Sequence, residues 1–136
     1  MTARIFRQAR IAGLPFLSHP YSEANIAEYL QKEILPTGVT TVAILDDRTV
    51  GYCVVAGDWL EQLYIMPEAW SKGVGTALLD QALAGNDYIQ LWVFQKNLRA
   101  RKFYERRGFV MVELTHGANN MEHEPDARYE LRAAGN

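Results

Sequence analysis

Apolar residues come in short blocks, and the spacing inside the blocks changes along the chain. "TTVAIL" (40–45), "VGYCVV" (50–55) and "WLEQLYI" (59–65) are rich in β-branched and aromatic residues and are separated by "DDRT" and Gly57-Asp58. This predicts three strands, the first two forming a hairpin. "YIQLWVF" (88–94) alternates, with Ile89, Leu91 and Val93 on one face, and reads as a fourth strand. "FVMVELT" (109–115) and "ARYELR" (127–132) read as two more, joined by the polar stretch "HGANNMEHEPD" (116–126). Between about Gly75 and Ala84 the period lengthens: Val74, Ala77, Leu78, Ala82 and Leu83 make a helical stripe. Asn97 is placed to cap a short helix through Arg107, with Gly108 at the position of a left-handed C-cap. Upstream, Ser22 is an N-cap for a helix to about Glu33, with Ile26, Tyr29, Leu30 and Ile34 inward and Pro36-Thr37-Gly38 ending it.

A single helix between strands 59–65 and 88–94 makes a right-handed βαβ unit, so those two strands should be parallel. The expected fold is α/β: a mixed, mostly antiparallel sheet with a central βαβ crossover. The first segment is ambiguous. Ile5, Phe6, Ala9 and Ala12 fit a helical stripe, yet "RIFRQA" (4–9) reads equally as a short strand.

At 136 residues the chain suits one domain, 1–136, with a full core. Hydrophobic residues make up 49% and charged residues 22%, which excludes a disordered chain. A net charge of -2 argues against nucleic acid as partner, since a phosphate backbone needs a concentrated basic surface. Basic residues do cluster at 96–107. No apolar run is long enough to span a membrane, and "MTARIFRQAR" lacks the apolar core of a secretory signal, so a cytoplasmic location is expected. The single cysteine, Cys53, rules out an internal disulfide and a Cys-rich zinc site. His116 and His123 have no common ligand spacing, so no metal is expected.

The candidate chemistry starts at "WSKGVGT" (70–76). Two glycines just before a helix allow close approach to backbone N–H groups at its positive end, which suits a phosphate or pyrophosphate. Lys72 adds a charge. A tight strand-to-helix turn with no ligand explains the glycines equally well, and neither the Walker nor the three-glycine dinucleotide pattern is present.

A second motif, "NLRARKFYERRGF" (97–109), separates these readings. With Leu63-Tyr64-Ile65-Met66-Pro67 and the turn Trp70–Thr76, then Asn97, Ala100, Phe103-Tyr104-Glu105 and Gly108-Phe109, the chain from about 40 to 115 resembles the GNAT family of N-acetyltransferases. Trp70 stands where that family usually has Gln or Arg, and Ser71 where a glycine often follows. The family usually opens with a strand, often ending in a pattern like I-R-x-A. Phe6-Arg7-Gln8-Ala9 resembles it and favours strand over helix for 4–9.

The resemblance implies an acetyl-CoA-dependent N-acyltransferase. The coenzyme's pyrophosphate would lie on the amides of Ser71, Lys72, Gly73, Val74, Gly75 and Thr76, after Trp70. Its pantetheine arm would follow Leu63 and Ile65 between splayed strands, with Asn97 opposite; Asn97 would otherwise be a plain helix cap, and the two roles are compatible. The basic cluster at 96–107 (Lys96, Arg99, Arg101, Lys102, Arg106, Arg107) would attract the coenzyme's 3′-phosphate, or else be a solvated helix face, the reading preferred for Arg106 and Arg107. An acceptor amine would attack the thioester directly. Tyr104 would protonate the leaving thiolate, or else only pack beside Phe103. Glu61 would take the amine's proton, or else be an exposed strand residue; strict alternation puts it on the face of Leu63 and Ile65. Asn120, Glu122 and Asp126, in the loop after the strand at 109–115, would shape the acceptor site and favour a cationic amine. A non-catalytic acyl-CoA-binding sensor or docking module is the alternative. The acceptor and the oligomeric state, a homodimer included, stay open.

Overall fold

The computed structural model describes residues 1–132; residues 133–136 of the expected domain lie outside it. Strands β1 (Val39–Leu45) and β2 (Arg48–Ala56) form the expected hairpin. Its two-residue turn, Asp46-Asp47, has both φ angles positive (52° and 63°), the backbone twist that matches two paired strands. β3 (Trp59–Ile65) pairs antiparallel with β2. α3 (Val74–Leu83) then crosses over to β4 (Tyr88–Phe94), and α4 (Leu98–Arg106) leads to β5 (Val110–Leu114). β6 (Asp126–Arg132) inserts between β4 and β5, giving the order β1-β2-β3-β4-β6-β5. Among the described strands only β3 and β4 run parallel. The mixed, mostly antiparallel sheet with one βαβ crossover is therefore as expected.

One face of the sheet buries the main core. Cys53, Leu60, Ile89, Leu91, Ala127 and Tyr129 meet Leu78, Leu79 and Ala82 of α3 and Tyr104 of α4 there. Burial pushes the Cys53 thiol up, which suits the small apolar core residue expected and not a nucleophile.

The other face is covered by α1 (Thr2–Gly13) and α2 (Glu23–Tyr29), and here the strand favoured for 4–9 is corrected: the segment is helical. The physical reason lies in the pattern. As a strand, 4–9 would put Arg4, Phe6 and Gln8 on one side and Ile5, Arg7 and Ala9 on the other, so neither face would be apolar. As a helix it buries Ala3, Ile5 and Ala9. Ile5 joins Tyr52, Val54 and Met66 against the sheet, while Ala3 meets Ile26 and Leu30 of the next helical segment. Burying Ile5 alone contributes about 1.5–3 kcal/mol. Ser22 caps α2 as expected, in a reciprocal box with Asn25: its hydroxyl accepts from the Asn25 N–H at 3.1 Å. The helix loosens into a wide π turn at Leu30–Ile34.

Among the described residues no helix is long and apolar enough to cross a membrane.

Candidate active site

β3 and β4 share one paired position, Trp59 with Gln90. At that point the Gln90 N–H donates to the Asp58 carbonyl at 2.8 Å, and Trp59 and Trp92 stack with ring centroids 6.5 Å apart. Beyond it the strands separate. The opening is a cleft of about 580 Å³, lined by residues 60–65 of β3 and 91–94 of β4.

A bulge in β3 sits at the same place. Val54 faces Gln62 and Val55 faces Leu60, so Glu61 has no partner on β2. An extra residue bends its strand and redirects a side chain, and this one does so where β3 leaves β4. The plain alternation expected for Glu61 is therefore corrected: Leu60 and Leu63 both pack in the core on the α3 side, with Glu61 between them. Glu61 is exposed and lines the cleft. Gln62 is buried and accepts from the Tyr52 hydroxyl at 2.6 Å.

The turn into α3 supplies the second wall. Ser71 (φ 64°) and Gly73 (φ 82°) are both left-handed, and such turns point successive N–H groups into a concavity suited to an anion. Gly73 is the N-cap of α3 and offers no side chain to its first N–H groups. The left-handed φ also explains why glycine is usual at position 71. A Cβ on Gly73 would meet nothing within 4 Å, so backbone conformation alone requires glycine there. Gly75 differs: a Cβ would come within 3.0 Å of Ile65 Cδ1 and 3.4 Å of Phe103 Cζ, so here glycine serves close approach.

Ser71, Gly73, Gly75 and Thr76 line the cleft, as do Leu63, Ile65 and Trp70. Lys72 and Val74 do not. Their side chains border a shallower depression beside Val42 and Ile44 of β1, so Lys72 does not extend into the cleft with the rest of the turn. Trp70 lies against Gly13 of α1, and its indole N–H donates to the Ile65 carbonyl at 2.9 Å, which occupies one of the strand groups expected to serve a ligand.

α4 closes the floor. The Asn97 side chain accepts from the Ala100 N–H at 3.2 Å, so it is a helix cap, and it also lines the cleft. Tyr104 is buried, packs edge-on between Phe103 and Phe109, and reaches the cleft wall. Burial pushes its hydroxyl pKa well above the ordinary tyrosine value, so it is a phenol and not a phenolate across the working range.

The far end of the cleft is formed by α1 and the loop after β5. Asn120, Glu122 and Asp126 all reach it. Their roles differ from a free acidic cluster. Asp126 is buried, accepts from the Thr115 hydroxyl, and accepts from Asn120 Nδ2 at 3.1 Å. Asn120 also donates to the Glu124 carbonyl at 2.7 Å and accepts from its N–H at 3.2 Å. These two residues hold the loop in shape. Glu122 is paired with Arg10 at 3.3 Å, and Arg10 also donates to the Tyr64 hydroxyl at 2.8 Å. Burial alone would lower the Arg10 pKa, but Tyr64 and Glu122 outweigh it and hold the guanidinium above its usual value.

Arg10 and Tyr64 are cleft residues that the sequence reading did not assign, and Arg99, which it placed in the basic cluster at 96–107, lines the cleft too. For Arg10 the usable signal was helical: Phe6 and Arg10 are four apart, and the guanidinium lies 5.0 Å from the Phe6 ring.

The sequence and fold resemble known proteins. The family model described as "Acetyltransferase (GNAT) family" matches residues 6–109. The peptidyl-lysine N-acetyltransferase YjaB of Salmonella typhimurium is 32% identical over 109 residues, which span 79% of this chain and 74% of that one. The solution structure of apo YjaB from Escherichia coli aligns with a TM-score of 0.77 at 23% identity, covering 94% of this chain and 86% of that one. PaiA N-acetyltransferase from Thermoplasma acidophilum, solved in complex with coenzyme A, aligns with a TM-score of 0.69 at 18% identity, covering 97% and 91%. With the model matched over 6–109, this chain belongs to the GNAT family of acetyltransferases.

Proposed function

We propose that this chain transfers the acetyl group of acetyl-CoA to the side-chain amine of a peptidyl lysine by direct attack. The supporting observation is the convergence of three features on one cleft: the uncapped N-terminus of α3, the unpaired edge of β3, and the side chains of Glu61 and Tyr104. The residues fit the coenzyme. The left-handed turn at 71–73 and the first N–H groups of α3 suit its pyrophosphate, and the free groups of β3 near Leu63 suit the amides of its pantetheine arm. When bound, acetyl-CoA supplies an activated acyl group as a thioester.

Glu61, directly or through water, takes a proton from the acceptor ammonium, because only the neutral amine has a lone pair for attack. As the N–C bond forms and the C–S bond breaks, Tyr104 donates its phenolic proton to the departing sulfur, and the second proton, shed by the new amide nitrogen, restores the phenol. The raised pKa of Tyr104 does not defeat this step. A thiolate leaving beside the same buried hydroxyl is itself destabilised, so donor and acceptor shift together. At the other end the charge of Glu122 is offset by Arg10, while Glu61 is exposed with no cationic partner among the described ion pairs, and this free carboxylate suits a lysine. The relative named as a peptidyl-lysine acetyltransferase supports that choice.

The test is to incubate the protein with acetyl-CoA and lysine-containing peptides whose α-amines are blocked. Free thiol should appear together with one acetyl mass increment on the lysine. Coenzyme binding with no thiol release from any amine in a broad panel would favour the non-catalytic module instead.

A further inference from the structure

Where the family usually places a Gln or Arg to help hold the coenzyme, this chain has Trp70, and the structure shows what stands in its place. The guanidinium of Arg99, in the first turn of α4, stacks on the Trp70 ring with its central carbon 3.8 Å from the ring centroid. Trp70 is not free to turn. Its N–H is bonded to the Ile65 carbonyl and its six-membered edge rests against Gly13. The ring is thus a fixed platform anchored to β3 and α1, and a planar guanidinium is the cation best suited to lie on it.

Arg99 is placed by the same packing. It lies one helical turn before Phe103, on the same side of α4, and Phe103 is the residue that faces Gly75 in the first turn of α3. Arg99 therefore stands beside the N-terminal amides of α3, and both line the cleft. Its stacking leaves the five N–H donors at the guanidinium rim available. Among the described ion pairs none involves Arg99, whereas Arg10, Arg107, Arg128 and Arg132 each have a carboxylate. Arg99 keeps much of its surface exposed, and the covering it has lowers its pKa with no anion nearby to offset the cost. An unpaired cation that shares the cleft with a helix N-terminus suits a phosphate.

We propose that Arg99, held in place by Trp70, binds the pyrophosphate of the coenzyme and so supplies from α4 the side-chain contact that residue 70 usually gives. Trp70 is the positioning residue and Arg99 the binding residue. This rests on the reading that coenzyme A occupies the cleft.

The experiment measures dissociation constants for coenzyme A and 3′-dephospho-coenzyme A by calorimetry, on the wild type, Arg99→Gln, Trp70→Leu, Trp70→Phe and the Arg99→Gln/Trp70→Leu pair. Loss of one charge-assisted contact should weaken binding by about tenfold or more in Arg99→Gln. The same factor should appear with both ligands, because both carry the pyrophosphate. Trp70→Leu should weaken binding by a smaller factor and add almost nothing in the Arg99→Gln background. Trp70→Phe keeps an aromatic face and should lie between wild type and Trp70→Leu. If Arg99→Gln binds like wild type, the inference is overturned while coenzyme binding stands. If its loss appears with coenzyme A and vanishes with the dephospho form, the 3′-phosphate is the partner and the pyrophosphate assignment is wrong. Full additivity of the two substitutions would overturn the platform role of Trp70. No binding of either ligand by the wild-type protein would overturn the inference together with the reading beneath it.

Discussion

The two ends of the cleft are built in different ways. At the end proposed for the donor the groups facing the cleft belong mainly to the backbone: the unpaired edge of β3 and the N–H groups that open α3. At the end proposed for the acceptor they are side chains from distant parts of the chain. Arg10, Tyr64 and Glu122 form one connected set, and Asn120 with Asp126 forms another. Backbone recognition constrains conformation, so it leaves glycines at fixed offsets. Side-chain recognition constrains only the final meeting of residues, so it leaves no local pattern. A shared ligand at one end and a variable one at the other is the expected use of such a division.

The largest expected effect lies between the two ends. Tyr104→Phe keeps the ring and its packing on Phe103 and Phe109 and removes one hydroxyl. Loss of a general acid costs about 10²–10⁴-fold in kcat. The affinity for acetyl-CoA should change little, since the hydroxyl acts in the transition state. Because burial raises the Tyr104 pKa, the protonated acid persists as pH rises. The alkaline fall in wild-type kcat attributable to this group should thus lie above the ordinary tyrosine value of about 10. Near-wild-type kcat in Tyr104→Phe on the true acceptor would reduce Tyr104 to a packing residue.

Next in size is Gly75→Val, which attacks the donor end alone. Its side chain would press on Ile65 and Phe103 and fill the approach to the first turn of α3. Wild-type protein at a coenzyme concentration of a hundred times Kd should gain about 2.7 kcal/mol of stability. The variant should lose most of that gain in a thermal shift assay while circular dichroism still reports a folded chain. A full shift would mean that coenzyme binds elsewhere.

Smaller, and confined to the acceptor end, is Glu122→Ala. It removes the carboxylate paired with Arg10 and leaves the Asp126–Asn120 scaffold intact. Steady-state kinetics should show the acceptor KM rising several-fold, in the range of a partly exposed ion pair worth about 1 kcal/mol, with the acetyl-CoA KM nearly constant. Equal changes in both constants would break the division between the two ends.

The smallest effect is a gain. Ser71 holds a φ of 64°, which costs a residue with a Cβ about 1 kcal/mol. Ser71→Gly should raise stability by roughly that amount without moving the acceptor KM, and thermal denaturation would measure it. A loss of stability would mean that the serine hydroxyl matters more than the backbone strain.

The same contrast explains what could be read from the sequence. The sheet, the crossover and the cap at Asn97 followed from periodicity and turn residues, because each depends on neighbours in the chain. The turn at 71–76 was legible for the same reason, apart from Lys72 and Val74, whose side chains border the depression beside β1 instead of the cleft. The bulge at Glu61 was not legible. It arises from the register between β2 and β3, which no local pattern in 59–65 records. A strand was favoured for 4–9 because a resemblance to a strand ending outweighed a faint helical stripe, half of it alanine. Losing that helix hid Arg10, and without Arg10 the carboxylates of 116–126 looked like a free acidic cluster instead of a paired and hydrogen-bonded loop.

The central claim, that backbone groups of β3 and α3 carry the donor, has a direct measurement in amide hydrogen exchange with and without coenzyme A. Protection should rise at the N–H groups of 61–65 and 71–76, and stay nearly constant in the loop 116–124. Protection confined to that loop and α1, with 61–65 and 71–76 unchanged, would contradict it.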